Sequence, residues 1–234
     1  MRAAPIALLT GLLPFLCIHL TYLVAASHGH VDWCVPYWDS CTSISATGRE
    51  LPEKLIFKFI MIPAGLCAIL FWWLVNHWLE AVGQRKSPLL LRVGAVAGLF
   101  LIPSVVALGA GREYQGLRRT GIILFFSLTF LAQLLFLARV AGSFPRVNVG
   151  PATPHLLGLN GLSTRVIRWQ KRAAFTLLAI GISTVLLDLF YKNYDAIEDA
   201  FEWVMMLFII AQFVSHYWLW KEAELRIEIR SGRP

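Results

Sequence analysis

Charged side chains are scarce: Asp, Glu, Lys and Arg together make up 15% of the 234 residues, where soluble domains carry about 25%. Apolar residues reach 57% and the mean hydropathy is +0.63, so too little polar surface remains to cover a water-soluble globule. An ordinary cytosolic enzyme and a disordered chain are excluded on that ground. Cysteine is equally sparse, with four in the chain, which excludes a disulfide-dense secreted scaffold. No HExxH helix, Walker loop or serine elbow occurs, so the commonest zinc, nucleotide and serine-hydrolase chemistries have no motif here. No unit of about 20–50 residues recurs, and a solenoid is excluded with it.

What the chain has in quantity is long apolar runs. Crossing a hydrocarbon core takes about 20 such residues, and six stretches qualify: 6–25, 55–79, 89–110, 121–140, 173–190 and 200–220. The fold class expected is all-α, a single six-span membrane bundle. Pro63 and Pro103 fall inside spans, where neighbouring helices and water take up the freed carbonyls. Met1-Arg2 before an apolar run ending Ala25-Ala26-Ser27 has the look of a signal peptide. The run is longer than a signal core and contains His19, Thr21 and Tyr22, so a retained first helix is expected.

Positive charge sets the orientation. With six spans, fourteen Lys and Arg fall on the side of the termini and six on the other, with Lys58 inside a span. Both termini are therefore expected in the cytoplasm, and the loop 26–54 outside it. The same bias accounts for the net charge of +7, making anionic headgroups at the cytoplasmic loop 141–172 the natural partner. No nucleic-acid motif accompanies it, and no nucleic-acid partner is expected. The end of that loop, Arg165 to Arg172, mixes cations with Ile167 and Trp169, as a positive-inside flank at the headgroup level does.

The loop 26–54 is the most informative segment. Cys34 and Cys41 lie on the side where disulfides persist and are expected to pair, whereas Cys17 and Cys67 sit inside helices as small apolar packers. His28, His30, Asp32 and Cys34 alternate, but ligands at every second residue of one strand cannot easily surround a zinc ion. No metal is expected. Pro52 and Glu53 suit the first turn of the second span, a residue without N–H followed by a carboxylate at the positive dipole end.

The run Asp39-Ser40-Cys41-Thr42-Ser43-Ile44-Ser45-Ala46-Thr47-Gly48, then Pro52-Glu53 and Phe57, resembles the signature loop of the Frag/DRAM/Sfk membrane proteins. Glu202-Trp203 resembles that family's later Glu-Trp near the outer start of the last span. The resemblance covers the six-span layout, with specificity in these two patches. It implies lipid-linked biology: GPI-anchor lipid remodelling, autophagy modulation in lysosomes, or lipid and phosphoinositide distribution at the plasma membrane. It implies no established catalytic mechanism. Ala46 stands where relatives often have Asp, so that carboxylate is missing here or replaced by Asp39.

Ionisable residues within spans mark function or internal pairing. His19, Lys58, Asp188 and Glu202 all fall in roughly the outer third of their spans, where Lys58 is expected to pair with a carboxylate, Glu202 above all. The candidate lipid or ligand site is this set with its roof: Asp39, Ser43, Ser45, Thr47, Gly48, Glu53 and Trp203. Lipid binding or handling is the expected function. If it includes catalysis, that is a lipid-remodelling transfer or hydrolysis on the extracytoplasmic side. The alternative is a non-catalytic scaffold recruiting a protein partner or a second copy. Toward the other end, Asn76, His77, Gln133, Arg139, Gln212 and His216 are available. His77 and His216 beside Trp78 and Trp218 read as belt residues rather than haem ligands, so no cofactor is expected.

The orientation is open to direct test. Single cysteines placed within 83–88 should react with impermeant maleimide only after the membrane is opened, whereas labelling of that loop in intact cells would reverse the topology.

Overall fold

The computed structural model describes residues 3–141 and 161–222. Among them are seven helices and no strand: α1 (Ala4–Ser27), α2 (Pro36–Asp39), α3 (Glu53–Ala81), α4 (Pro88–Val106), α5 (Gln115–Ala141), α6 (Gly161–Phe190) and α7 (Glu198–Glu222). All except the four-residue α2 are long and apolar enough to cross a membrane. The ends of the bundle are called here the loop end, which carries residues 28–52, and the basic end, which carries the α3–α4 turn and the start of α6.

Local chemistry sets the helix boundaries. Pro88 opens α4, and Ser87 caps it by accepting the Leu90 amide at 3.4 Å. The Ser87 amide itself donates to Asn76 Oδ1 at 2.7 Å, so buried Asn76 fixes the α3–α4 turn from within α3. Gly83, with φ of 78°, ends α3 in the left-handed conformation that glycine adopts without steric penalty. α6 begins at Gly161, twelve residues before the expected 173. The Arg165–Arg172 segment is therefore about two turns of helix, not loop. Ile167 and Gln170 are buried there while Arg165, Arg168 and Arg172 point outward, an amphipathic division that a count of apolar residues misses. Similarly, α5 starts at Gln115 rather than 121, and α4 stops at Val106 rather than 110. The remainder of the expected loop, 142–160, lies outside the described residues.

α1 packs between α3 and α7; α4 joins α3 to α5; α6 leans on α7 and touches α5 lightly. Two apolar clusters stack along the bundle. One, at the basic end, gathers Phe71, Trp72, Trp78, Phe136, Phe213 and Trp220. The other, at the loop end, gathers Ile18, Phe57, Met61, Leu101, Phe125 and Trp203. Because lipid is as apolar as leucine, helices in a bilayer are held by close packing rather than by a hydrophobic drive. α3 and α4 achieve it through small residues: a Cβ on Gly98 would meet Ile69 at 2.6 Å and the Gly65 carbonyl at 3.0 Å, and one on Gly94 would overlap the Trp72 ring.

Gly94→Ala should therefore destabilise the bundle by about 1–3 kcal/mol, the usual range for overpacking a tight interface. A thermal melt in mild detergent reads this as a lowered Tm; an unchanged Tm would show that the α3–α4 seam has room to spare.

Candidate functional site

The loop 28–52 is pinned to the bundle by side chains rising from α1 and α7. Tyr22 on α1 accepts the Cys34 amide at 2.8 Å and donates to the Cys34 carbonyl at 2.6 Å. Cys34 is joined to Cys41 by a disulfide with Cα atoms 6.6 Å apart, as expected, and α2 lies inside that small ring. Across the gap, α7 supplies three contacts. The Trp203 indole donates to the Thr42 carbonyl at 2.8 Å, Glu202 Oε2 accepts the Ile44 amide at 3.3 Å, and the Ala200 amide donates to Ser40 Oγ at 3.1 Å. Trp203 is fully buried and meets Tyr37, His19 and Tyr22 edge-on at ring distances of 5.3, 5.9 and 6.1 Å.

His19 is oriented from both sides. Its Nδ1 lies 2.7 Å from the Phe15 carbonyl, which only accepts, so Nδ1 carries the proton and Nε2 receives the Tyr37 hydroxyl at 2.6 Å. Burial pushes the Tyr37 phenol above its ordinary value, which keeps it a donor in that bond. Thr47 is buried, bonds the Ile44 carbonyl at 2.8 Å and meets Thr21 Oγ1 at 3.1 Å. Gly48 next to it is pressed against Phe57 so closely that a Cβ would sit 2.7 Å from the ring. The Thr-Gly and Phe57 of the signature are thus one packing unit. Ser43 caps the 3-10 turn Ala46–Gly48 by accepting the Ala46 amide at 3.1 Å, and Ser45 accepts from the Arg49 guanidinium at 3.2 Å.

Glu53 differs from the rest. At the first residue of α3 its side chain is fully buried, with Oε1 2.6 Å from His30 Nδ1. Its Oε2 is buried with no hydrogen-bond partner among the described residues. His30 covers it and is one-third exposed. A buried carboxylate oxygen without a donor is costly, and the imidazole bonded to its sister oxygen is partly exposed.

Three candidates stand apart from this assembly. Lys58 does not pair with Glu202: its Nζ donates to the Val106 carbonyl at 2.8 Å. Arg118 joins it there, reaching the Ala107 and Ala110 carbonyls at 3.2 and 2.9 Å. Both cations thus satisfy the orphan carbonyls and the negative dipole at the end of α4, a partner no carboxylate count reveals. Asp188 is exposed near the end of α6, away from the loop. Asp39 is exposed and accepts the Val35 amide at 2.7 Å, capping α2. The residues sequence reasoning passed over are Thr21, Tyr22, Tyr37 and His30's partnership with Glu53. For Thr21 and Tyr22 the signal was hydroxyls inside an otherwise apolar first span; Tyr37 and His30 lie in the loop and carried none.

Toward the basic end, His77 and His216 occupy different surroundings. His77 is half-exposed beside Trp73 and Glu80, while His216 is buried among Phe71, Phe136 and Trp220.

A six-span bundle with a disulfide-bearing loop folded over one end defines the class: a multi-pass integral membrane protein. The family described as Frag1/DRAM/Sfk1/Cwh43P N-terminal domain matches residues 2–221, and the chain belongs to that family. Comparison with individual curated proteins and with solved structures gives no match.

Because Lys58 and Glu202 serve separate partners, the stability losses of Lys58→Met and Glu202→Gln should add to within about 0.5 kcal/mol in the double variant. A coupling above about 1 kcal/mol in detergent unfolding would put the two charges back in contact.

Proposed function

We propose that the protein binds membrane lipid at its loop end, with the headgroup donating to Glu53 once His30 has swung aside. The observation that carries this is the buried Oε2 of Glu53, an acceptor without a partner among the described residues, whose sister oxygen is bonded to the partly exposed His30. An acceptor selects donors, so the fitting headgroups carry an ammonium or hydroxyls. Family membership supports a lipid-linked role, and the Lys/Arg count supports placing this end outside the cytoplasm. The arrangement favours binding over catalysis. Thr21, Thr47 and Ser43 spend their hydroxyls on backbone groups and on neighbouring hydroxyls rather than on an imidazole, so no activated nucleophile is assembled from them.

One observation favours a second reading, recruitment of a protein partner. Trp33 and Trp38 on the loop are 65% and 88% exposed, and exposed aromatics of that size are the usual anchors of interfaces.

Lipid extracted from the purified full chain separates the two. Glu53→Gln should fold, with a lowered Tm from the weakened charge-assisted bond, and lose amine- or hydroxyl-bearing lipid that the parent retains. Asp39→Asn, at an exposed residue committed to the Val35 amide, should keep it. A folded Glu53→Gln protein with an unchanged lipid profile would remove the proposal, and loss of a pulled-down partner in Trp38→Ala with lipid intact would favour the scaffold.

A further inference from the structure

At the opposite end of the bundle, a lateral groove of about 420 Å³ opens between α6 and α7 toward the membrane, within the range of about 300–1,000 Å³ typical of ligand pockets. Its sides are Trp169 and Trp218, each about four-tenths exposed. Its floor is the small residues Ala211 and Ser215. Ser215 turns its hydroxyl inward, accepting from Gln170 Nε2 at 2.6 Å and donating to the Gln212 carbonyl at 2.6 Å, so the floor offers only apolar surface. α6 and α7 run antiparallel: Arg165 and Trp218 both lie about 6 Å from their helix ends, and Ala211 about 16 Å deep. The groove is thus an apolar slot about 10 Å long running down from a cation.

Arg165 lines that mouth with an exposed side chain, and it takes part in none of the ion pairs formed among the described residues. Bulk lipid tails would fill an apolar slot without any charge at its edge. A guanidinium there adds a donor fork for a phosphate, the geometry in which arginine exceeds lysine. Spread along 10 Å, the volume gives a cross-section of roughly 40 Å², about half that of a helix 10 Å across with its side chains. A whole helix does not enter it, and a lipid chain does.

From this geometry we infer that the α6–α7 groove is a site for one anionic phospholipid, its phosphate on Arg165 and an acyl chain between Trp169 and Trp218 over Ala211. The site is independent of the Glu53 reading and lies at the other end of the bundle, so either can fail alone.

Native mass spectrometry of the full chain, titrated with phosphatidylserine or with phosphatidylcholine of the same acyl chains, tests it. The parent should bind phosphatidylserine more tightly. Arg165→Gln should weaken that binding about fivefold, the typical effect of one cation at a membrane surface, and weaken phosphatidylcholine less, because its choline already offsets the phosphate charge. Arg92→Gln removes an exposed charge on α4, outside the groove, and should change nothing. Ala211→Trp should abolish binding of both lipids by filling the floor. Equal weakening by Arg165→Gln and Arg92→Gln would reduce the effect to diffuse surface charge and overturn the site. So would equal affinity for the two lipids, or a folded Ala211→Trp protein that binds as the parent does. If Ala211→Trp does not fold, a phosphatidylserine carrying a diazirine on its chain decides the matter in the unmodified protein. Crosslinks to the peptides holding Trp169 and 211–218 support the groove; crosslinks only elsewhere refute it.

Discussion

The hydrogen bond from the Trp203 indole to the Thr42 carbonyl is the contact around which the loop end is organised. A loop lying on a membrane bundle has backbone N–H and C=O groups that cannot be left unpaired once water is excluded. Trp203 meets that constraint from inside the apolar layer. The ring fills the space between α1 and the loop, while its one polar atom reaches the Thr42 carbonyl. Glu202, one residue earlier, takes the Ile44 amide two residues further along the loop. A Glu-Trp pair at the start of α7 therefore works as a two-point clasp on alternate residues of the loop. The disulfide shortens that loop, and Tyr22 holds its other side.

With those demands met, most polar residues at the loop end are accounted for by structure. Thr47, Ser43, Ser45 and Asp39 all spend their oxygens on caps and turns. Lys58 and Arg118 are taken up by the carbonyls that end α4, while Glu202 is committed to the Ile44 amide. Glu53 is what remains. Its Oε1 has His30, and its Oε2 has nothing among the described residues. At this end Glu53 is thus the carboxylate with a buried oxygen left unpartnered among the described residues.

How much of this is legible in sequence depends on which coordinate is asked for. Depth along a span follows from counting residues, so the six spans and the placement of His19, Thr47, Glu53 and Trp203 at one end are readable. The signature loop and the Cys34–Cys41 pair are readable too, because they are local. Rotation about the helix axis is not, and there the expectations fail. Lys58 shares its depth with Glu202 but faces α4; Asp188 lies in the same layer but on the exposed face of α6. The early start of α6 is missed for the same reason: its basic first turns are apolar on one face only, and a span-length average cannot see a face.

α6 shows what a bilayer does to this kind of reasoning. Its buried side chains, Ser163, Ile167, Gln170, Ala173, Ala174 and Leu177, lie between its basic end and just past its middle. Beyond them, Leu178, Ile182, Val185, Leu186 and Leu189 are exposed, and in water such a helix would not hold its place. In lipid, exposure of leucine costs nothing, and attachment has to come from packing and polar contacts. Gln170 supplies the latter, its Nε2 donating to Ser215 Oγ at 2.6 Å. The same bridge that ties α6 to α7 turns the Ser215 hydroxyl away from the membrane face. One buried glutamine thus both fastens the helix at its basic half and leaves the seam between α6 and α7 apolar on its outer side.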